Sequence, residues 1–451
     1  MNLEDRELTI CTEDYSLLTD LYELTMIACY VGDGIEEKPA SFELFVRHLP
    51  KGFGYLIAMG LTQALDYLKK LSFSQSQIEA LRNTKIFDRA PEKFWVVLES
   101  GRFTGDVWAV PEGTAIFANE PILRVEAPLW QAQLVETYLL NTINYQTLIA
   151  TKAARMRDAA GEKAKLLEFG SRRAFSPQGA IWAARAAIAG GMNATSNVLA
   201  ALKLGHVPSG TMAHSLVMAF TALSGSEDEA FAAFERYFSD PVLLIDTYDT
   251  VAAARRIAEK IRLGEMNITG VRIDSGDLAE LSRQVRSLLP DITIFASGDL
   301  DEWEITRLKQ AGAAIDGYGI GTKLVTGSPV NGVYKLVEID GIPTIKESSG
   351  KKTYPDRKQI FRRKTNSKIL SDRLGLATEI PSNDEQPLLQ LVMKEGKQVL
   401  DPESLENIQK RTAATVAILP KETRRLDKPT SIKVEISKPL EKLRQSLTKQ
   451  I

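Results

Sequence analysis

The chain has 451 residues, too many for one ordinary domain, so two or three are expected. A formal net charge of −2 excludes a broad nucleic-acid-binding surface. Two cysteines, Cys11 and Cys29, exclude a disulfide framework or a cysteine-rich metal site, and no apolar run approaches the roughly 20 residues that span a bilayer. The stretch Met1 to Glu7 is acidic and lacks the basic-then-apolar order of a signal peptide, so a soluble cytoplasmic protein with no membrane or nucleic-acid partner is expected.

In chain order, Leu17 to Met26 reads as a helix start with Thr19 or Asp20 as its cap. Ser41 to Arg47 alternates like a half-buried strand, and Gly52 to Gly54 mark a turn. Short β-like pieces run from Phe103 to Val125, broken by Pro111, Gly113 and Pro121, before helical spacing from Gln131 to Arg157. From Lys163 the character changes. Lys165 to Gly170 is a strand pattern, and the alanine-rich Ala180 to Ala189 a helix. Four further strands, Pro241–Ile245, Ile268–Ile273, Ile292–Ala296 and Ile315–Tyr318, each end at a polar or glycine turn; helices Val251–Arg262, Leu278–Leu289 and Glu302–Gln310 follow the first three. This is the βα period of a parallel sheet or barrel. Beyond Val325 it stops: Gly332–Glu338 and Ile342–Lys346 read as a hairpin joined at Asp340-Gly341. A basic stretch follows from Lys351 to Lys358, and Lys433–Ile451 reads as a terminal helix.

The unusual residues gather at the strand ends: Asp246, Asp274, Ser297-Gly298 and Gly319 to Thr322. In a parallel barrel those ends share the face that carries active sites, and in a doubly wound sheet they line a crevice. Gly319-Ile320-Gly321-Thr322 and Ser297-Gly298-Asp299 are two glycine loops on adjacent late strands, and free N–H groups there suit phosphate; each alone is equally a tight turn. Alternation puts Arg272 and Asp274 on one side of their strand, as a phosphate-and-sugar clamp or a structural ion pair, while Asp277 reads as a helix cap. Glu168-Phe169-Gly170-Ser171-Arg172-Arg173 sets an aromatic ring beside two guanidinium groups, a combination suited to a flat anionic ring. His214, one of three histidines, follows the turn Val207–Gly210 among small residues. A carboxylate such as Asp246 accepting one imidazole N–H would leave the other nitrogen as nucleophile or base; Asp246 is otherwise a turn residue.

With these residues assembled, the chain resembles the nicotinate phosphoribosyltransferases from about Asp14 to Arg362. The segments that carry the likeness are Thr19–Met26, Glu168–Arg173, Gly210–Ser215 and Pro355-Asp356-Arg357-Lys358-Gln359. The resemblance implies an irregular α/β barrel over 141–330, an N-terminal α/β domain over 1–140, and a C-terminal region over 331–451 that completes it. It implies transfer of phosphoribose from phosphoribosyl pyrophosphate to nicotinate with release of pyrophosphate, coupled to ATP hydrolysis and assisted by Mg²⁺, in a homodimer with shared sites. By that likeness Phe169 stacks on the pyridine ring, with Tyr22 across the interface on its other face and Asp20 and Arg47 also at the substrate. Arg172 pairs with the carboxylate or phosphate, Arg272 and Asp274 hold ribose and phosphates, and Gly298, Gly321 and Thr322 cradle the 5′-phosphate. His214 is the phosphoryl acceptor, oriented by Asp246, and Arg357 and Lys358 meet ATP or phosphate. Ser196 stands where nicotinamide-using relatives carry an acid, which favours nicotinate. The rivals are a nicotinamide-using relative and an unrelated phosphate-binding barrel, the latter needing a lysine or carboxylate base.

Overall fold

A computed structural model describes residues 8–347 and 353–449. Lys351 and Lys352 of the basic stretch, Met1 to Glu7, and the last two residues lie outside the described residues. The chain divides into two units, one of 1–148 with 329–451 and one of 149–328. The first boundary lies about eight residues later than sequence reading placed it, because helix Glu136–Ala160 runs through without a break.

The second unit carries a six-stranded parallel sheet in the order Ala194–Thr195, Lys165–Glu168, Gly317–Ile320, Thr293–Ala296, Gly270–Ile273, Val242–Leu244. Its strands are apolar on both faces, with Leu166, Leu243, Val271, Ile294 and Ile320 buried, as a sheet covered on both sides requires. No ladder joins the two outer strands among the described residues, so hydrogen bonding does not close a ring. Helices Pro177–Ala189, Thr250–Arg262, Leu278–Leu288 and Glu302–Gln310 return the chain between strands. Each begins on a side chain that accepts a backbone N–H: Ser176, Asp249, Asp277 and Asp301. Such caps contribute about 1 kcal/mol each. They also sort the strand-end acids, because Asp249, Asp277 and Asp301 are spent on capping while Asp246 and Asp274 are not.

Sequence reading ended the last strand at Tyr318, but it continues through Gly319 to Ile320. Gly319 is glycine for packing, not turning: a Cβ there would fall on the Phe169 ring. The helix beyond it is a single turn, Thr322–Val325, too short to add much dipole.

The first unit is built on a seven-stranded antiparallel sheet with Pro39–Val46 near its middle, between Gly332–Ile339 and Pro121–Pro128. That strand is buried on both faces, not half-buried as its alternation suggested. The misleading residue is Glu43, fully buried, whose Oε2 meets the Lys358 ammonium at 2.9 Å while Oε1 accepts the Lys358 N–H at 2.8 Å. Asp340 and Gly341 both take positive φ, the requirement of a two-residue hairpin turn, although the second strand is only Ile342–Pro343. A four-stranded sheet holds Lys358–Lys364 and Ile369–Leu376.

These contacts correct one expectation. The Lys358 ammonium has three donors, and Glu43 and the carbonyls of Tyr354 (2.7 Å) and Asp356 (2.6 Å) fill them, leaving none for phosphate. Burial pulls its pKa down, with Glu43 opposing. Replacing Lys358 with methionine is expected to cost about 3–5 kcal/mol by stranding Glu43, and urea melts of single and double Glu43/Lys358 variants would measure it. Equal stability of the Lys358 variant and the parent would contradict the pairing. Arg357, less buried, pairs with Glu338 at 2.7 Å and Glu126 at 3.3 Å.

Candidate active site

The strand ends of the parallel sheet bring together most of the residues singled out in this unit. Arg272 is at their centre. Its Nε donates to Thr211 Oγ1 at 2.9 Å, Nη1 to Ser297 Oγ at 2.9 Å and Asp274 Oδ1 at 3.2 Å, and Nη2 to the Met212 carbonyl at 2.7 Å. Burial pulls the guanidinium below its ordinary value, and nearby Asp274 and Asp246 oppose that. Four protein acceptors make Arg272 a tie between three loops, including the ion pair with Asp274 that sequence reading gave as the alternative to a phosphate-and-sugar clamp. Ser297 also donates to Asp274 Oδ1. Asp274 Oδ2 has no partner among the described residues, and the side chain is 36% exposed. Asp274 therefore presents an unpartnered carboxylate oxygen on a partly exposed side chain.

His214 is the first residue of helix His214–Ser224, 11 residues long, beyond cap residue Ala213. Its Nδ1 lies 3.0 Å from Thr247 Oγ1, and its Nε2 lies 3.9 Å from Asp246 Oδ1. The ring's hydrogen-bond partner is thus the Thr247 hydroxyl, where sequence reading expected Asp246. Asp246 Oδ2 instead accepts the Asp274 N–H at 3.0 Å and the Ser275 hydroxyl at 2.5 Å, and its buried Oδ1 has no hydrogen-bond partner. Asp246 is set close enough to feel charge on the imidazole but not to fix its tautomer. Gly298, at φ +96°, packs where a Cβ would strike the Asp274 carbonyl, so its close approach depends on glycine.

On the other side of the site, Phe169 stands at the end of Lys165–Glu168, its N–H on the Ile320 carbonyl at 2.8 Å and its ring 6.0 Å from the Arg272 guanidinium. Arg172 is exposed, with no ion pair among the described residues. Sequence reasoning passed over Glu168 here. It is fully buried; its carboxylate accepts from the Gly170 N–H and the Thr195 hydroxyl, and its carbonyl accepts the Ser196 N–H at 2.9 Å. Asn197 then bonds the Ser171 hydroxyl at 3.0 Å. Glu168 therefore holds the Phe169–Arg172 loop and the Ser196 loop in one register, and burial pushes its carboxyl up. The signal was available: a strand whose last residue is an acid amid apolar neighbours. Replacing Glu168 with alanine is expected to loosen the Phe169–Arg172 and Ser196 loops and to raise the KM of a ligand that rests on them about tenfold. An unchanged KM with a lowered melting temperature would make it a plain stability residue.

Asp20, Tyr22 and Arg47 belong to the other unit. Asp20 caps the position of helix Leu21–Gly32 without a side-chain cap bond, its carboxylate accepting from Thr137 at 2.9 Å; Tyr22 is 46% exposed; Arg47 follows strand Pro39–Val46. Beside Tyr22, Glu23 is fully buried against Gln133 Nε2 at 2.6 Å, and burial pushes its carboxyl up to about 7. The folded state therefore holds this proton where the unfolded chain releases it, so stability falls as pH rises from 4.5 to about 7. The change is on the order of 3 kcal/mol, and Glu23→Gln is expected to flatten that stretch of the melting-temperature profile. A profile as steep as the parent's would contradict it.

Models of one family cover nearly the whole chain: the nicotinate phosphoribosyltransferase N-terminal domain over 17–144, the family's central model over 164–369, and its C-terminal domain over 375–444. The Bacillus subtilis nicotinate phosphoribosyltransferase is 40% identical, over 94% of this chain and 93% of its own. The chain belongs to the nicotinate phosphoribosyltransferase family. The human member is 30% identical over 96% of both chains. A crystal structure of human nicotinic acid phosphoribosyltransferase matches with a TM-score of 0.82 at 29% identity, covering 96% of this chain and 100% of that one. A Pyrococcus furiosus nicotinate-nucleotide pyrophosphorylase shares the fold, with a TM-score of 0.74 at 24% identity over 91% and 97% of the two chains. Among the described residues no helix is long and apolar enough to cross a membrane.

Proposed function

We propose that this protein joins nicotinate to the phosphoribosyl group of phosphoribosyl pyrophosphate, giving nicotinate mononucleotide and pyrophosphate for NAD salvage in the cytoplasm, with ATP hydrolysis coupled through His214. The observation that carries the reading is the gathering, at the strand ends of one sheet, of an unpaired carboxylate oxygen on Asp274, the Phe169–Arg172 loop with its ring 6.0 Å from the Arg272 guanidinium, and a histidine at a helix start held against Thr247.

The pyridine nitrogen attacks the anomeric carbon as the carbon–oxygen bond to pyrophosphate breaks and pyrophosphate takes the electron pair. The sugar passes through an oxocarbenium-like state, so positioning and charge carry the rate. Phe169 supplies a face for the ring, and exposed Arg172 pairs with the nicotinate carboxylate. Asp274 Oδ2 accepts from ribose hydroxyls and places negative charge near the cationic centre. Gly298, Gly321 and Thr322 offer backbone to the 5′-phosphate. Arg272 serves this arrangement by locking Asp274 and Ser297 in place.

An Nδ1–H donated to Thr247 leaves the lone pair of His214 Nε2 free to attack the γ-phosphate of ATP, with ADP leaving. The start of an 11-residue helix favours the resulting negative charge. Among the described residues no cluster of three or more acids, histidines or cysteines would hold a bare metal ion. Asp246 Oδ1, buried and without a hydrogen-bond partner, fits a magnesium ion that arrives on the phosphates. Magnesium there would neutralise pyrophosphate oxygens.

Helix Val198–Lys203 exposes Leu199 (52%) and Leu202 (66%), and helix His214–Ser224 exposes Met218 (56%) and Leu223 (90%), apolar side chains that a second copy would cover. In the homodimer the partner subunit's Tyr22 would close the ring site, with Asp20 and Arg47 beside it.

Ser196 is neutral and does not repel a carboxylate. A kcat/KM for nicotinate at least about a hundredfold above that for nicotinamide is expected. Comparable values would overturn the assignment of the ring substrate.

A further inference from the structure

The first unit holds a cavity of about 800 Å³, lined in part by helix Leu61–Lys70, strand Lys358–Lys364 and helix Leu405–Ala417. Its lining residues all belong to that unit, so none of the residues around His214 contributes to it. Its size suits a small organic ligand. Part of the wall is apolar, from Leu65, Leu388 and Ile418. The polar part is unbalanced in charge. Asp66 is paired with Lys70 at 2.8 Å, Glu403 with Arg411, and Glu112 accepts the Gly60 N–H at 2.6 Å, so of the lining acids only Asp401 has no partner among the described residues.

The cations are less committed. Arg362, whose side chain is 4% exposed, gives Nε and Nη2 to Asp372 and the Ala115 carbonyl, and its Nη1 has no acceptor among the described residues. Lys364 lines the cavity with no ion pair among the described residues, and Lys69 meets only the Gln398 amide oxygen. Gln63 Oε1 is buried and accepts no hydrogen bond among the described residues. Spare cationic donors, spare acceptors on Gln63 and Asp401, and an apolar wall are the complement of a phosphate, hydroxyl or amino groups, and a flat ring.

We propose that this cavity is a second ligand site, taking a mononucleotide: phosphate against Arg362, Lys364 and Lys69, a sugar hydroxyl or ring amine on Gln63, and the base against the apolar wall. It gives the segment after Gln390 a binding role that its sequence did not suggest.

The test is calorimetry on the full chain with AMP, adenosine and inorganic phosphate, using variants checked for an unchanged melting curve. AMP is expected to bind more tightly than adenosine or phosphate alone. Lys364→Glu should weaken it about tenfold and Gln63→Leu several-fold. Arg172→Gln, in the candidate active site, should leave this binding in place, which separates the cavity from the reaction. Absence of AMP binding would overturn the proposal. So would AMP binding lost in Arg172→Gln and kept in Lys364→Glu, or phosphate binding as tight as AMP, which would reduce the cavity to a patch for simple anions.

Discussion

Asp274→Asn is expected to lower turnover of nicotinate by about two to three orders of magnitude while leaving the melting temperature nearly unchanged. Asparagine keeps the volume and the oxygen that Arg272 and Ser297 contact, so the three loops tied by Arg272 should stay in register. What it removes is the negative charge on the carboxylate whose Oδ2 has no protein partner. An oxocarbenium-like sugar gains positive charge only as pyrophosphate leaves, so losing a fixed negative charge there costs the transition state more than the ground state. The effect should fall on kcat, with KM for either substrate shifting little. A near-normal kcat would move Asp274 to a structural role, as partner of Arg272 alone.

His214→Ala is expected to abolish ATP stimulation of product formation and any acid-labile label from γ-labelled ATP. His214 is the histidine held against Thr247 and Asp246, and the acids near it would form base-labile acyl phosphates, not base-stable phosphoramidates. The helix start and Thr247 prepare the imidazole to accept a phosphoryl group. The phosphorylated ring would stand beside Asp246, so its charge must be offset by ligand or magnesium. That mutual repulsion gives a physical reason for the phosphoenzyme to favour one substrate state over another. Basal transfer without ATP should persist in the variant, because Asp274, Phe169 and Arg172 remain. Label retained in His214→Ala would overturn the phosphohistidine.

Much of this was legible before the structure. The βα period and acids at strand ends follow from alternating apolar runs and capping chemistry, which depend on neighbours a few residues away. Local pattern failed where a long-range partner decides. Glu43 reads as a solvent-facing acid until Lys358, 315 residues on, covers it. Lys358 reads as a free cation for the same reason. Gly319 looks like a turn because sequence cannot show the Phe169 ring packed on its Cα. Asp246 and Thr247 are adjacent in sequence, and only geometry tells which of them hydrogen-bonds the imidazole. Glu168 was read as part of a motif, and its clamp between two loops needed the Thr195 contact to be seen.

The most direct measurement is product formation from purified protein given nicotinate and phosphoribosyl pyrophosphate, with and without ATP, following nicotinate mononucleotide and pyrophosphate together. The account predicts the two products in equal amounts, dependent on phosphoribosyl pyrophosphate and faster with ATP. Absence of the nucleotide from nicotinate under either condition would contradict it.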